Sequence, residues 1–131
     1  MASFFRSTAT AALFCLLAGI ARAEPVTLLF AGDIMLDDAP GKTIASGGDP
    51  LAPFAAILAE ADYRIGNLEC PVASSGQAHA SKIVTFRADP RVMSVLPGRF
   101  DAVSLANNHS GDYGHDAFNE TMQHLANAGI A

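Results

Sequence analysis

Between Val26 and Gly129 the sequence alternates short apolar runs that stop abruptly at polar residues with segments whose apolar residues recur at helical spacing. That alternation restricts the chain more than any single motif does. "VTLLFAGD" is aliphatic, contains β-branched residues and stops at Gly32-Asp33, the pattern of a strand buried on both faces. "DPLAPFAAILAEAD" carries Phe54, Ile57, Leu58 and Ala61 at helical spacing after an Asp49-Pro50 start. "YRIGNLE" predicts a second strand ending near Gly66, and the aperiodic stretch from Cys70 to Lys82 predicts a loop. "IVTFRAD" reads as a third strand, and "PRVMSVLP" as a short helix with Asp89 at its N-cap and Pro90 at N1. "FDAVSLANN" reads as a fourth strand. "GHDAFNETMQHLANAG" reads as a helix with Phe118, Met122 and Leu125 on one face and Gly129 as its C-cap. Such an order predicts an α/β domain with a largely parallel sheet.

The first residues have a different character. Arg6 precedes an apolar core from about Ala11 to Ile20, and Ala21-Arg22-Ala23 follows, the layout of a signal peptide occupying residues 1–23 and cut after Ala23. The core is shorter than the ~20 residues that span a bilayer, so the expected product, residues 24–131, is exported to the periplasm or cell surface. Losing Arg6 and Arg22 leaves 6 basic against 13 acidic side chains, a formal charge of −7. That balance argues against nucleic acid as a partner, because binding it depends on neutralising phosphates with Lys and Arg. Cys70 becomes the only cysteine after cleavage, so no internal disulfide is expected. "HLANAGIA" reads as a helix end followed by the first residues of a further strand. The expectation is therefore a fragment whose half-built sheet exposes an apolar edge and lowers its solubility.

Polar residues cluster where the predicted strands stop, the edge at which ligands bind open α/β sheets. Asp33 follows the first strand, Asn67 and Glu69 the second, and "SLANNHSGDYG" the fourth. A carboxylate at a strand end can reach a hard cation, although Asp33 also suits an ordinary turn. Asn67 and Glu69, two positions apart, point to the same side of an extended chain; a buried Glu69 would need a metal or a base, while a Glu69 beyond the strand would simply be solvated. The last stretch holds an amide, an imidazole and a carboxylate within six residues, with metal binding or proton transfer set against an Asx turn at Asn108-His109-Ser110. Arg87, at the end of "VTFR", can meet an anionic substrate or form a surface salt bridge.

Taken together and in order, "GDIML", "IGNLECP" and "SLANNHSGDYG" resemble the CapA-type capsule synthesis (poly-γ-glutamate biosynthesis) family, a relative of the calcineurin-like metallophosphoesterases. The resemblance implies a four-layer α/β/β/α sandwich, of which residues 24–131 form the N-terminal part, and a metal centre at the strand ends. Carried over by motif, it assigns Asp33, Asn108 and, at the place of the bridging aspartate, Asn67 with Glu69 as its substitute to metal, and His109 to acid catalysis or substrate contact; position at the same sheet edge adds Asn107 and Arg87 as substrate contacts and Asp112 as the residue holding the loop behind the site. Two departures weaken a dinuclear centre: Met35 stands where the phosphoesterases carry a histidine, and Asn67 where they carry a bridging aspartate. The remaining oxygens of Asp33, Glu69 and Asn108 suit one hard divalent ion, Mg²⁺ or Mn²⁺, better than a zinc pair.

Two functions follow from the resemblance. One is a metal-dependent hydrolase or transferase of the cell envelope, acting on a phosphoester or on an anionic surface polymer. The other is a non-catalytic accessory protein that binds such a polymer during capsule assembly or export. Either implies association with a membrane-bound capsule synthesis complex.

Overall fold

The computed structural model describes residues 23–131. The expected signal peptide, residues 1–23, therefore falls, except for Ala23, outside the described residues. Strands β1 (Leu28–Ile34), β2 (Tyr63–Leu68) and β3 (Ala102–Ser104) form a parallel sheet in the order β1-β2-β3. Helix α1 (Asp38–Ala45), a 3₁₀ turn (Ala52–Phe54) and α2 (Ala55–Ala59) connect β1 to β2; a long loop and a 3₁₀ helix (Pro90–Val95) connect β2 to β3; α3 (Gly114–Asn127) follows. The α/β class read from the alternation is therefore present. Among the described residues, no helix is long and apolar enough to cross a membrane.

A strand order that never reverses puts crossovers of one hand on one face of the sheet. The core lies on that face: Ile34 and Leu68 of the strands pack with Ile44, Leu58, Val92, Val95, Phe100 and Leu125. The opposite face carries Leu28, Phe30 and Tyr63, which stay 53%, 71% and 38% exposed. This corrects the expectation that the first strand is covered on both sides. Beyond β3, Ala131 donates its N–H to Asp101 and accepts from Val103, both in the spacing of a parallel ladder.

The predicted third strand, residues 83–89, is not a strand. Its strand pairing among the described residues is a single bridge from Ala88 to Val72, and Ile83 is fully exposed. The reason is a competition for amides: the Phe86 N–H goes to Asp112 Oδ2 and the Arg87 N–H to Asp37 Oδ2, each at 2.8 Å. Carboxylates take the donors that a ladder would have used. The short helix after it forms as predicted in position, but as 3₁₀, with Asp89 accepting from the Arg91 N–H and Pro90 in its first turn. Helix α1 is not announced by the local pattern, because Pro40 and Gly41 sit inside it; its signal is Asp37, whose side chain caps the first turn.

The last helix turns a different stripe inward. Ala117, Thr121 and Leu125 are buried, whereas Met122 is 51% exposed. A threonine suits the narrow gap because its hydroxyl satisfies the backbone it meets: Oγ1 accepts from the Val72 N–H at 2.9 Å and donates to the Ala117 carbonyl at 2.7 Å. The helix ends in a Schellman arrangement, with Gly129 N–H to Ala126 O and Ile130 N–H to Leu125 O. Gly129 has φ 69°, a left-handed conformation that favours glycine.

Candidate functional site

The site begins with an irregularity in β1. Phe30 pairs with Ile65 and Asp33 with Asn67, so two residues of β1, Ala31 and Gly32, oppose the single Gly66 of β2. A strict alternation would put Asp33 on the face opposite Phe30; the extra residue brings it back to the side of Asn67. Asn67 Nδ2 then donates to Asp33 Oδ1 at 2.9 Å and to Glu69 Oε2 at 2.5 Å. Two carboxylates thus meet around one amide at the C-terminal edge of the sheet, Asp33 exposed and Glu69 half-buried. Among the described residues no basic side chain pairs with either of them. Arg64, Lys82, Arg91 and Arg99 pair with Asp101, Asp112, Asp89 and Asp49 instead.

The third motif joins through Asn107. Its Nδ2 donates to Asn67 Oδ1 and to the Leu68 carbonyl, both at 2.9 Å, while its Oδ1 accepts from the N–H groups of His109 and Ser110, also at 2.9 Å. The Asx turn in this segment therefore belongs to Asn107, not to Asn108. With two donors and two acceptor positions in use, the Asn107 amide frames the site and ties the β2 edge to the following loop. The network also fixes how Asn67 is turned, since its oxygen must face Asn107 and its nitrogen the two carboxylates. Asn108 is exposed on that loop, and its carbonyl accepts from Lys82.

His109 leans on Asp112. Its Nδ1 lies 2.7 Å from Asp112 Oδ2, and its ring meets the Phe86 ring edge-on with centroids 4.7 Å apart. Asp112 is completely buried. Burial by itself raises its carboxyl, but bonds from Lys82, His109 and the Phe86 N–H outweigh it and hold the group below the usual carboxylate range. A carboxylate only accepts, so the hydrogen between the two lies on Nδ1, and Nε2 is the nitrogen left for other partners.

Arg87 stands apart from the carboxylates. Its guanidinium donates to the carbonyls of Ser75 and Gly76 and covers the Tyr113 ring at 4.3 Å. Cys70 is buried and burial pushes its thiol upward, so it acts as a small apolar side chain. Three contributors carry no signal in the sequence: Lys82 in the aperiodic loop, Phe86 in the segment whose composition predicts a strand, and Glu120, which accepts the N–H and hydroxyl groups of both Ser74 and Ser75. Each acts through a partner 26 to 46 residues away, a separation that no local pattern reports.

Whether a metal ion suits this site is a matter of donor chemistry. Among the described residues, no three His, Cys, Asp or Glu side chains converge, which does not match a closed zinc site of nitrogen and sulfur ligands. Two carboxylates with neighbouring amides do match a hard cation that keeps several waters, as Mg²⁺ does. No curated protein matches the chain. Over residues 27–131 the sequence matches the family model described as bacterial capsule synthesis protein PGA_cap, and the chain belongs to that family.

Proposed function

We propose that this capsule synthesis protein is an exported cell-envelope enzyme, a metal-dependent hydrolase or transferase acting on a phosphoester or on an anionic surface polymer such as poly-γ-glutamate. The observation that carries the reading is the pair Asp33 and Glu69, joined by Asn67 at the strand ends and left without a basic partner among the described residues. Asp33, Glu69 and the Asn108 amide would hold one Mg²⁺ or Mn²⁺, which when bound supplies a Lewis acid for the substrate oxygen. His109 holds Asp112 through its Nδ1–H, so the proton it gives to the leaving group is one first taken up at Nε2, and the ring returns to the neutral Nδ1–H form. In the same reading the sheet is the N-terminal part of a four-layer α/β/β/α sandwich, whose second sheet would cover Leu28, Phe30 and Tyr63. Export follows from the leader sequence, and association with a membrane-bound synthesis complex from the family.

Calorimetric titration of the full-length protein with Mg²⁺ and Mn²⁺, paired with a phosphoesterase and polymer-cleavage assay, tests the proposal. Asp33→Ala and Glu69→Ala are expected to lose ion binding, and His109→Ala to keep binding while turnover falls roughly 10²- to 10⁴-fold. Full turnover in His109→Ala, or ion binding unchanged in both carboxylate variants, would overturn it. Polymer binding that persists with chelator present, without any turnover, would assign the chain to accessory binding instead.

A further inference from the structure

Lys82 lies in a stretch with no periodic pattern, yet it reaches the most buried charged side chain among the described residues. Its Nζ donates both to Asp112 Oδ1 and to the Asn108 carbonyl. The loop around it is docked on the same residue: His79 donates its N–H to the Asp112 carbonyl at 2.8 Å, and Lys82 donates its N–H to the His79 carbonyl at 3.0 Å. Four residues further on, Phe86 adds an N–H to Asp112 Oδ2 and a ring edge to His109. Residues 79–86 therefore clamp residues 108–112 from one side, and Lys82 is the only lysine or arginine of that clamp.

We propose that Lys82 is a positioning residue: by holding Asp112 and the Asn108 carbonyl it fixes the orientation and tautomer of His109, keeping the hydrogen on Nδ1 and Nε2 bare. The chemistry is that of a buried carboxylate. Asp112 has no access to water, and it stays an anion in that environment only with a cation and hydrogen bonds around it. Without Lys82 it either takes up a proton or turns out of its pocket. A protonated Asp112 becomes a donor to Nδ1 and moves the imidazole hydrogen to Nε2; a displaced Asp112 frees the ring to rotate. Both outcomes change what His109 presents. A lysine is suited to the task because one compact ammonium can donate to two acceptors at once. The use of that tautomer in proton transfer rests on the function proposed above; the tautomer itself does not.

Nitrogen-15 spectra of the full-length protein, labelled in its 4 histidines, read the two ring nitrogens directly. His109 is identified by the signals lost in His109→Gln, and the spectra are taken at a pH where the ring is neutral. The native protein is expected to show a protonated Nδ1 and a bare Nε2. Lys82→Met and Lys82→Gln are expected to move the hydrogen to Nε2 or average the two signals, and Lys82→Arg to restore the native pattern. A native His109 already protonated on Nε2 overturns the proposal without any variant, as does a native pattern surviving in either neutral variant. Native protein inactive on every substrate tried would instead count against the enzymatic reading, while the tautomer measurement still decides the role of Lys82.

Discussion

Single residues are held here by specific neighbours, and those neighbours set what a substitution costs. Gly66 is an example at the centre of the sheet. A methyl group at its Cα would come within 2.4 Å of Ile34 Cδ1 and 3.2 Å of Phe100 Cε1. Both side chains belong to the packed core, so neither has free space to retreat into. Gly66→Ala is expected to destabilise the protein by about 1–3 kcal/mol, the usual cost of overpacking. Chemical denaturation checks it; a midpoint equal to that of the native protein would show that the core relaxes there. Asn107 illustrates the same dependence on neighbours. Its position after an apolar run is legible in the sequence, but its use as a frame depends on Asn67, 40 residues away.

At the scale of elements, the chain relies on carboxylates and hydroxyls to join pieces that the sheet does not pair. Glu120 on α3 accepts four bonds from Ser74 and Ser75, at 2.9, 2.8, 2.9 and 2.5 Å. The Ser75 and Ser74 donors hold its carboxyl well below the ordinary range. Glu120→Gln keeps one acceptor oxygen and is expected to speed hydrogen exchange at the Ser74 and Ser75 amides by roughly an order of magnitude, with the sheet unaffected. Equal exchange rates in the two proteins would show that the loop is held by other contacts. The same type of link explains why "IVTFRAD" looked like a strand. Its β-branched and aromatic composition is real, but Asp37 and Asp112, far away in sequence, take the amides that would have made a ladder.

For the whole molecule, depressed carboxylates give stability a direction in pH. Asp101 is lowered chiefly by the Arg64 side chain, with which it forms a two-pronged pair at 2.7 and 2.9 Å. Asp49 is lowered chiefly by Arg99 and Asp89 by the Arg91 N–H. Asp112 and Glu120 shift the same way. In each case the unfolded chain binds protons at a higher pH than the folded one, so the stabilisation is complete above the unfolded values of about 4 and is lost as pH falls through the folded values. The melting temperature is expected to be flat between about pH 7 and 5 and to fall steadily below about pH 4. A melting temperature that holds to about pH 2.5 would contradict this.

Local pattern alone determined the α/β class, the placement of β1, β2 and α3, the Gly129 helix end, and the arrival of polar residues at the strand ends. Those features depend on neighbours a few positions apart, which is the range over which periodicity and capping act. The tertiary structure decided three matters. The bulge at Ala31-Gly32 returned Asp33 to the side of Asn67, because one extra residue reverses the alternation of a strand. The non-reversing strand order left one sheet face open, because all crossovers fell on the other. Lys82, Asp112 and His109 came together because a buried charge requires partners, and the chain found them between 3 and 30 residues away.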